Sequence, residues 1–390
     1  MHMKPLNGLR ILEFDGLGPV TFAAMMLADM GAEVLRLTRS EAAGSAVFSE
    51  VGGAVLHRNR AAVPVDLKSA SDRRGVLSLV ESADAVIEGF RPGVMERLGY
   101  GPADLLGRNP ALVFGRITGW GQSGPLAQAV GHDLNYIGLT GLLHAMGSPD
   151  RPPTPPLNLV GDYGGGAMML VVGVLAALLE VRTTGRGRVV DAAMTDGTAL
   201  LGGLFHALRA QGLWNDRRGS NLLDGGAPFY RCYICRDGGY VAVAALEPRF
   251  YLALLSGLGI DPAEAPQYDT FAWPDLHLRF AALFAARNRD DWAEHFAGTE
   301  ACVTPVLSLG EAPAHPHNQA RGTFEDGAPA PAPRFDDQPS TVANPPPLPL
   351  DAAILRWGGL RTQMTEGVFG AMERSRATDV AEPTQGNRFS

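Results

Sequence analysis

Lysine is almost missing from this 390-residue chain: Lys4 and Lys68 are its only lysines, and the other side chains of that charge are arginines. A base composition favouring Arg, Ala, Gly and Pro codons accounts for the bias and leaves Lys68 conspicuous. An excess of positive charge is missing as well. The formal net charge of −8 excludes a sequence-independent grip on nucleic acid. Cysteine is scarce, with Cys232, Cys235 and Cys302 the whole complement. The Cys232-Tyr233-Ile234-Cys235 spacing lacks the second Cys or His pair of a zinc site. Strand alternation would put these two thiols on opposite faces, so both are expected to be reduced and structural. No apolar stretch follows Met1-His2-Met3-Lys4-Pro5 as a secretory signal would require. The longest apolar run, Ala167 to Leu179, stops at Glu180, short of the ~20 residues that span a bilayer. Arg388-Phe389-Ser390 is not a peroxisomal tripeptide. The expectation is a cytoplasmic protein that binds neither membrane nor nucleic acid.

Glycine and proline are plentiful, at 48 and 29 residues, and 46% of the chain is apolar. That suits an α/β enzyme with many short turns, and the length suits two domains. Strand and helix patterns alternate from the start. Arg10 to Phe14 reads as a strand, Thr21 to Met30 as an amphipathic helix with Pro19 near its first turn, and Glu33 to Leu37 as the next strand. Strands are also expected at Val63 to Leu67, Ala85 to Glu88 and Leu112 to Ile117, with a helix over Ser71 to Ser82. Such βαβ repetition implies a parallel, Rossmann-like sheet with right-handed crossovers, which takes nucleotides at the carboxyl ends of its strands. Gly16-Leu17-Gly18 lacks the third glycine of the dinucleotide fingerprint, so a nicotinamide oxidoreductase is a distant reading.

A long helix is expected from Gly164 to Arg182, a strand over Val189 to Met194 and a further helix over Leu200 to Leu213. Beyond Gly225 the pattern changes. Phe229 to Cys235 and Gly239 to Ala245 form a hairpin around Asp237-Gly238-Gly239, followed by helices over Pro248 to Gly257 and Leu276 to Arg287. The expected organisation is a large domain over residues 1–190, linker helices over 191–224 and a small α+β domain over 225–325. The Pro-rich stretch Ala328 to Pro349 reads as a linker or strap, with residues 330–390 packing back on the large domain.

Two glycine-flanked turns carry groups suited to chemistry. Gly131-His132-Asp133-Leu134-Asn135-Tyr136 offers an imidazole, and Asn158-Leu159-Val160-Gly161-Asp162-Tyr163-Gly164-Gly165-Gly166 a carboxylate. Each has an ordinary structural alternative: a hydrogen-bonded turn histidine, and an Asp capping the helix that the glycines open. Placed on opposite sides of one carbon, they would remove a proton from one face and return one to the other. The glycine-rich helix start and amides near the His132 turn are candidate donors to an enolate oxygen. Glu247, between an apolar strand and a Pro-started helix, either caps that helix or orients His132. Arg39, Arg58, Arg60, Lys68, Arg91 and Arg97 fall at or after strand ends, where a cluster of cations suits a polyphosphate.

Taken in order, Gly8-Leu9-Arg10-Ile11-Leu12-Glu13, Glu88-Gly89-Phe90-Arg91-Pro92-Gly93-Val94, Thr118-Gly119-Trp120-Gly121-Gln122, the His132 turn and Val190-Asp191-Ala192-Ala193-Met194 resemble the family III CoA-transferase superfamily. Asn158 to Gly166, Leu223-Asp224-Gly225-Gly226-Ala227-Pro228 and Leu246-Glu247-Pro248 are similar to its racemase branch, which acts on 2-methylacyl-CoA thioesters. The resemblance covers about residues 5–320. It implies the family fold, an interlocked homodimer, an acyl-CoA thioester as substrate and no metal or redox cofactor, CoA being part of the substrate. By motif match it implies His132 and Asp162 as the acid/base pair and Glu247 as the partner of His132. The CoA moiety would be met by Arg39, Val65, Asp66, Leu67, Lys68, Gly89, Phe90, Arg91, Arg97, Gly131, Asp133, Leu134, Asn135 and Tyr136. The implied reaction is racemisation by 1,1-proton transfer through an enolate. The alternatives are a CoA-transferase working through an aspartyl anhydride at Asp162 and a non-catalytic acyl-CoA binder. Met168, Met169 and Met194 match the methionine-rich acyl path of the racemase branch, but Leu204 to Leu213 does not. Nothing after Asp351, Gln363-Met364-Thr365-Glu366 included, matches a motif.

Overall fold

The computed structural model describes residues 4–39, 52–336 and 342–358; Gln363 to Glu366 and the C-terminal tripeptide lie outside them. By contacts the chain divides into two compact units. The first comprises Met1–Thr118, Ala167–Ala192 and Ala332–Ser390, and the second Gly119–Gly166 with Ala193–Pro331. Residues 119–166, expected with the large domain, therefore cluster with the second unit, as do the helices expected as linkers.

The first unit is built on a six-stranded sheet of β1 (Arg10–Phe14), β2 (Glu33–Arg39), β3 (Arg60–Val65), β4 (Ala85–Glu88), β5 (Val113–Thr118) and β6 (Val189–Ala193), in the order β3-β2-β1-β4-β5-β6. The registers of β1 with β2 and β4, of β2 with β3, and of β4 with β5 are parallel. The α/β architecture expected from the alternation is thus present. The order reverses between β1 and β4, the switch point where open α/β sheets bind ligands beyond their carboxyl ends. Val20, on the Pro19–Asp29 helix, fills the gap there. A Cβ on Gly16 would lie 3.0 Å from its Cγ1, and one on Gly89 3.2 Å.

β3 begins and ends earlier than its hydrophobic run suggested, because Asp66 turns the chain. Its Oδ1 accepts the Lys68 N–H at 3.0 Å, and Ser69 then caps the Ala70–Ser82 helix. Helix Met168–Thr184 buries Leu170, Val171, Val174, Ala177 and Leu178, spaced as one helical stripe. A Cβ on Gly115 of β5 would stand 2.8 Å from Leu170 and 2.9 Å from Val174, so the helix meets the sheet where a side chain is missing. This helix continues a π-helical stretch, Leu159–Ala167, making 26 residues that are long and apolar enough to cross a bilayer by length and composition. The apolar run counted from sequence was shorter because the Gly161 to Gly166 segment, with Asp162 in it, precedes the run and Glu180 ends it.

The strap does lie on the first unit. Leu348 N–H donates to Ala62 O at 2.8 Å, Asn59 N–H to Ala343 O at 2.6 Å, and Arg10 Nη1 to Trp357 O at 2.9 Å. Residues 350–358 are helical, and Trp357 is fully buried.

In the second unit, β7 (Tyr230–Ile234), β8 (Tyr240–Ala244) and β9 (Val303–Val306) form an antiparallel sheet. Gly238, at φ 80°, supplies the left-handed turn between β7 and β8. Helices Pro248–Leu258, Trp273–Phe284 and Arg289–Phe296 bury Leu254, Phe280, Phe284 and Trp292 in the same core as Phe229 and Tyr233. Cys232 is exposed and Cys235 buried, as alternation requires, and both thiols are free. The single helix expected over Leu200 to Leu213 is two, Met194–Leu201 and Gly203–Ala210. They part at Gly202, where a Cβ would lie 2.8 Å from Leu142.

Candidate active site

The second unit brings the imidazole turn and the carboxylate turn together. The Asp133–Gly138 helix starts after His132, whose backbone N–H donates to Asn135 Oδ1 at 3.0 Å. The His132 side chain is exposed, whereas that of Asp133 is buried. Behind the turn, the Tyr136 hydroxyl donates to Gly131 O, and its ring meets Trp120 edge-on with centroids 4.8 Å apart. A Cβ on Gly119 would fall 2.0 Å from that ring, so the glycine of Thr118-Gly119-Trp120 is a packing requirement.

Asp162 does not cap a helix opened by Gly164. It lies inside the π-helical stretch, which begins at Leu159. The amides of Gly164 to Gly166 are therefore within the helix and are not an open donor set, contrary to the expectation for the enolate oxygen. Single π-helical turns within α-helices are frequent at functional sites. The glycines serve a crossing of backbones instead. A Cβ on Gly165 would sit 2.5 Å from Thr198 Oγ1, and one on Gly197 only 1.8 Å from Gly165 O. Asn158 Nδ2 donates to Asp162 Oδ2 at 3.2 Å, and the Asp162 N–H donates to Asp133 Oδ2 at 2.7 Å. Burial pushes the Asp162 carboxyl above the ordinary Asp range. The Asn158 hydrogen bond opposes this, the Asp133 charge adds to it and His132 opposes it. His132 and Asp162 thus lie within electrostatic reach of each other.

Glu247 precedes Pro248 at the start of its helix and makes no side-chain cap, so the capping reading fails. Its side chain is exposed, and among the described residues no contact joins it to His132. It faces Cys302, whose thiol is pushed up first by burial and then by Glu247.

In the first unit the expected CoA residues gather at one sheet edge. Arg39 ends β2 beside Val65 at the end of β3, Asp66 to Lys68 follow in the turn, and Gly89 to Arg91 follow β4. The side chains of Arg39, Lys68, Arg91 and Arg97 are exposed. Arg58 and Arg60 are not part of this set: they are buried in ion pairs with Asp29 and Glu13, both at 2.6 Å. The buried Asp133 carboxylate, expected among the CoA contacts, points instead at Gly161 and Asp162.

Residues the motifs contained but to which no role was assigned prove central. Glu88 accepts the Phe90 N–H at 2.7 Å and Arg116 Nε at 2.7 Å, and so shapes the Gly89–Arg91 turn. A charged residue ending an apolar strand was its only signal.

The model of the family described as CoA-transferase family III matches residues 6–349. The chain belongs to that family. It is 43% identical over 331 residues to alpha-methylacyl-CoA racemase of Mus musculus, covering 84% of this chain and 85% of the relative. It is 40% identical over 341 residues to alpha-methylacyl-CoA racemase of Homo sapiens, covering 86% and 87%. Among solved structures, a CaiB/BaiF family protein from Brucella suis superposes with a TM-score of 0.74 at 23% identity, covering 93% of this chain and all of that one. The family read from the motifs is the family the chain has, and that structure shares its fold.

Proposed function

We propose that this family III member is a racemase of 2-methylacyl-CoA thioesters, acting by 1,1-proton transfer through an enolate with His132 and Asp162 as the proton-carrying pair. The observation that carries the reading is the juxtaposition of an exposed imidazole with a carboxyl that burial has pushed upward. A raised carboxyl holds a proton nearer neutral pH, where a general acid is useful, and the imidazole beside it serves as base. Returning the proton from the other side requires the pair to exchange roles. We assign His132 to the S substrate and Asp162 to the R substrate. The thioester acidifies the α-carbon, amides at the His132 turn stabilise the enolate oxygen, and the arginine-bearing sheet edge binds the CoA phosphates.

The same reading makes the working form a homodimer in which Glu247 of one copy orients His132 of the other. Its support is the exposure of Glu247 away from its own chain's His132, together with exposed Leu134, Leu139, Leu157, Leu159, Leu200 and Leu204 on the second unit. Mixing His132→Ala and Glu247→Ala chains tests it: one complete site per mixed dimer would restore activity, and a site confined to one chain would not.

The reaction is tested by NMR of 2-methylacyl-CoA thioesters in deuterated water. The expected result is loss of optical activity with uptake of one α-deuteron, and a fall of roughly 10²–10⁴-fold in Asp162→Ala or His132→Ala. Wild-type exchange in both variants refutes the pair. Transfer of CoA to a free acid acceptor instead would identify a transferase, with Asp162 as its nucleophile.

A further inference from the structure

The residue after His132 stands in an environment that a simple turn does not need. Asp133 is 6% exposed. One of its oxygens, Oδ2, accepts the backbone N–H of Asp162 at 2.7 Å, and the other, Oδ1, is buried with no hydrogen-bond partner. No ion pair neutralises it among the described residues. Space for the carboxylate exists only because residue 161 is glycine: a Cβ there would lie 2.6 Å from Oδ2, 2.9 Å from Cγ and 3.0 Å from Ile137 Cγ2. A buried carboxylate is costly unless it is paired and hydrogen-bonded, and an apolar residue would fill a helix's first turn at less cost.

We propose that the side chain of Asp133 is a positioning residue for Asp162: it locks the Asp162 backbone to the His132 turn and sets a second carboxylate beside the Asp162 side chain. This inference rests on the proton-transfer reading of His132 and Asp162 and adds to it the group that ties their turns together and stands beside the Asp162 carboxyl. Geometrically, one hydrogen bond ties the backbone of one carrier to the turn that presents the other. Misplacement of reacting groups by about 1 Å costs on the order of 10²-fold in rate. Electrostatically, a second negative charge disfavours ionisation of the first. The Asp133 charge acts in the same direction as burial on the Asp162 carboxyl.

Three variants separate these two contributions. Asp133→Asn keeps an oxygen to accept the Asp162 N–H and removes the charge. Asp133→Ala removes both. Gly161→Ala leaves Asp133 in the sequence and evicts its carboxylate from the cradle. In the free protein, carbon-detected NMR of the Asp162 carboxyl is expected to show its titration midpoint falling in Asp133→Asn. For the S substrate, where Asp162 is the proton donor, the alkaline limb of the kcat/KM profile should move to lower pH with it. Asp133→Ala and Gly161→Ala are both expected to lose on the order of 10²-fold in α-proton exchange, and Asp133→Asn, which keeps the accepting oxygen in its cradle, much less. A midpoint and an alkaline limb unmoved in Asp133→Asn would overturn the electrostatic part, and wild-type exchange in Asp133→Ala the positional part. If the wild-type protein exchanged no α-proton, the racemase reading would fall. The carboxyl titration, read without substrate, would still decide whether Asp133 governs Asp162.

Discussion

Buried carboxylates occur in both units, and their nearest charged neighbours differ in sign. Glu13 on β1 and Glu88 on β4 are pushed up by burial, but each is pulled back by an arginine, Arg60 at 2.6 Å and Arg116 at 2.7 Å. In the second unit, burial pushes Asp162 up and its neighbouring carboxylate Asp133 pushes the same way. The sheet unit uses paired charge to hold turns in place. The corner of the second unit keeps like charges together, an arrangement that costs stability.

The contrast is sharpened most by removing one partner of a buried pair. Glu13→Ala leaves the Arg60 guanidinium buried and unpaired, and should cost about 3–5 kcal/mol in urea unfolding. A loss below 1 kcal/mol would erase the distinction between the units. Next comes the backbone crossing that fixes the Asp162 helix. Gly197→Ala drives a methyl into Gly165 O, and should cost about 1–3 kcal/mol or prevent folding; unchanged thermal stability would break that account. At the sheet edge, the exposed Arg91 is expected to act on binding alone. Arg91→Ala should raise KM for acyl-CoA roughly tenfold, the worth of a charge-assisted hydrogen bond, with kcat little changed. A fall in kcat with constant KM would count against the edge as the CoA site.

The smallest effect concerns stability and pH. A carboxyl whose folded-state value is raised favours folding only while protonated, and its contribution is lost as pH rises through the raised value. Asp162→Asn should therefore be more stable than wild type at neutral pH. That advantage should shrink as pH falls towards the ordinary Asp range near 4. Unfolding curves across that window check it, and a variant less stable at neutral pH would show that Asp162 is not strained.

Much of the first unit was legible because local pattern decides it. β1 is a buried pentamer carrying Ile11, Leu12 and Phe14 between Arg10 and Glu13, β4 an apolar run closed by an acid, and both have the bounds expected for them. Element ends that depend on side chains several residues away were less legible. Asp66 stops β3 through an amide two residues on, and the expected helix parts at Gly202, where Leu142 packs against the backbone and leaves no room for a side chain. At the site, His132 and Asp162 were visible as polar groups on glycine turns, while Asp133 was expected among the CoA contacts. Its burial and its bond to residue 162 follow from a contact 29 positions away in the chain, which spacing cannot reveal.

The sequence alone therefore determined the alternating sheet, the hairpin unit and the identity of the family, because hydrophobic period, turn chemistry and motif order are local properties. Only the tertiary structure decided which charges are paired. It placed Arg60 against Glu13 and Asp133 against Asp162, withdrew Arg58 and Arg60 from the ligand edge, and drew Asp162 into a π-helical turn. Desolvation and Coulomb interaction depend on distance in space, so the chemistry of a carboxylate is settled only when the chain has closed around it.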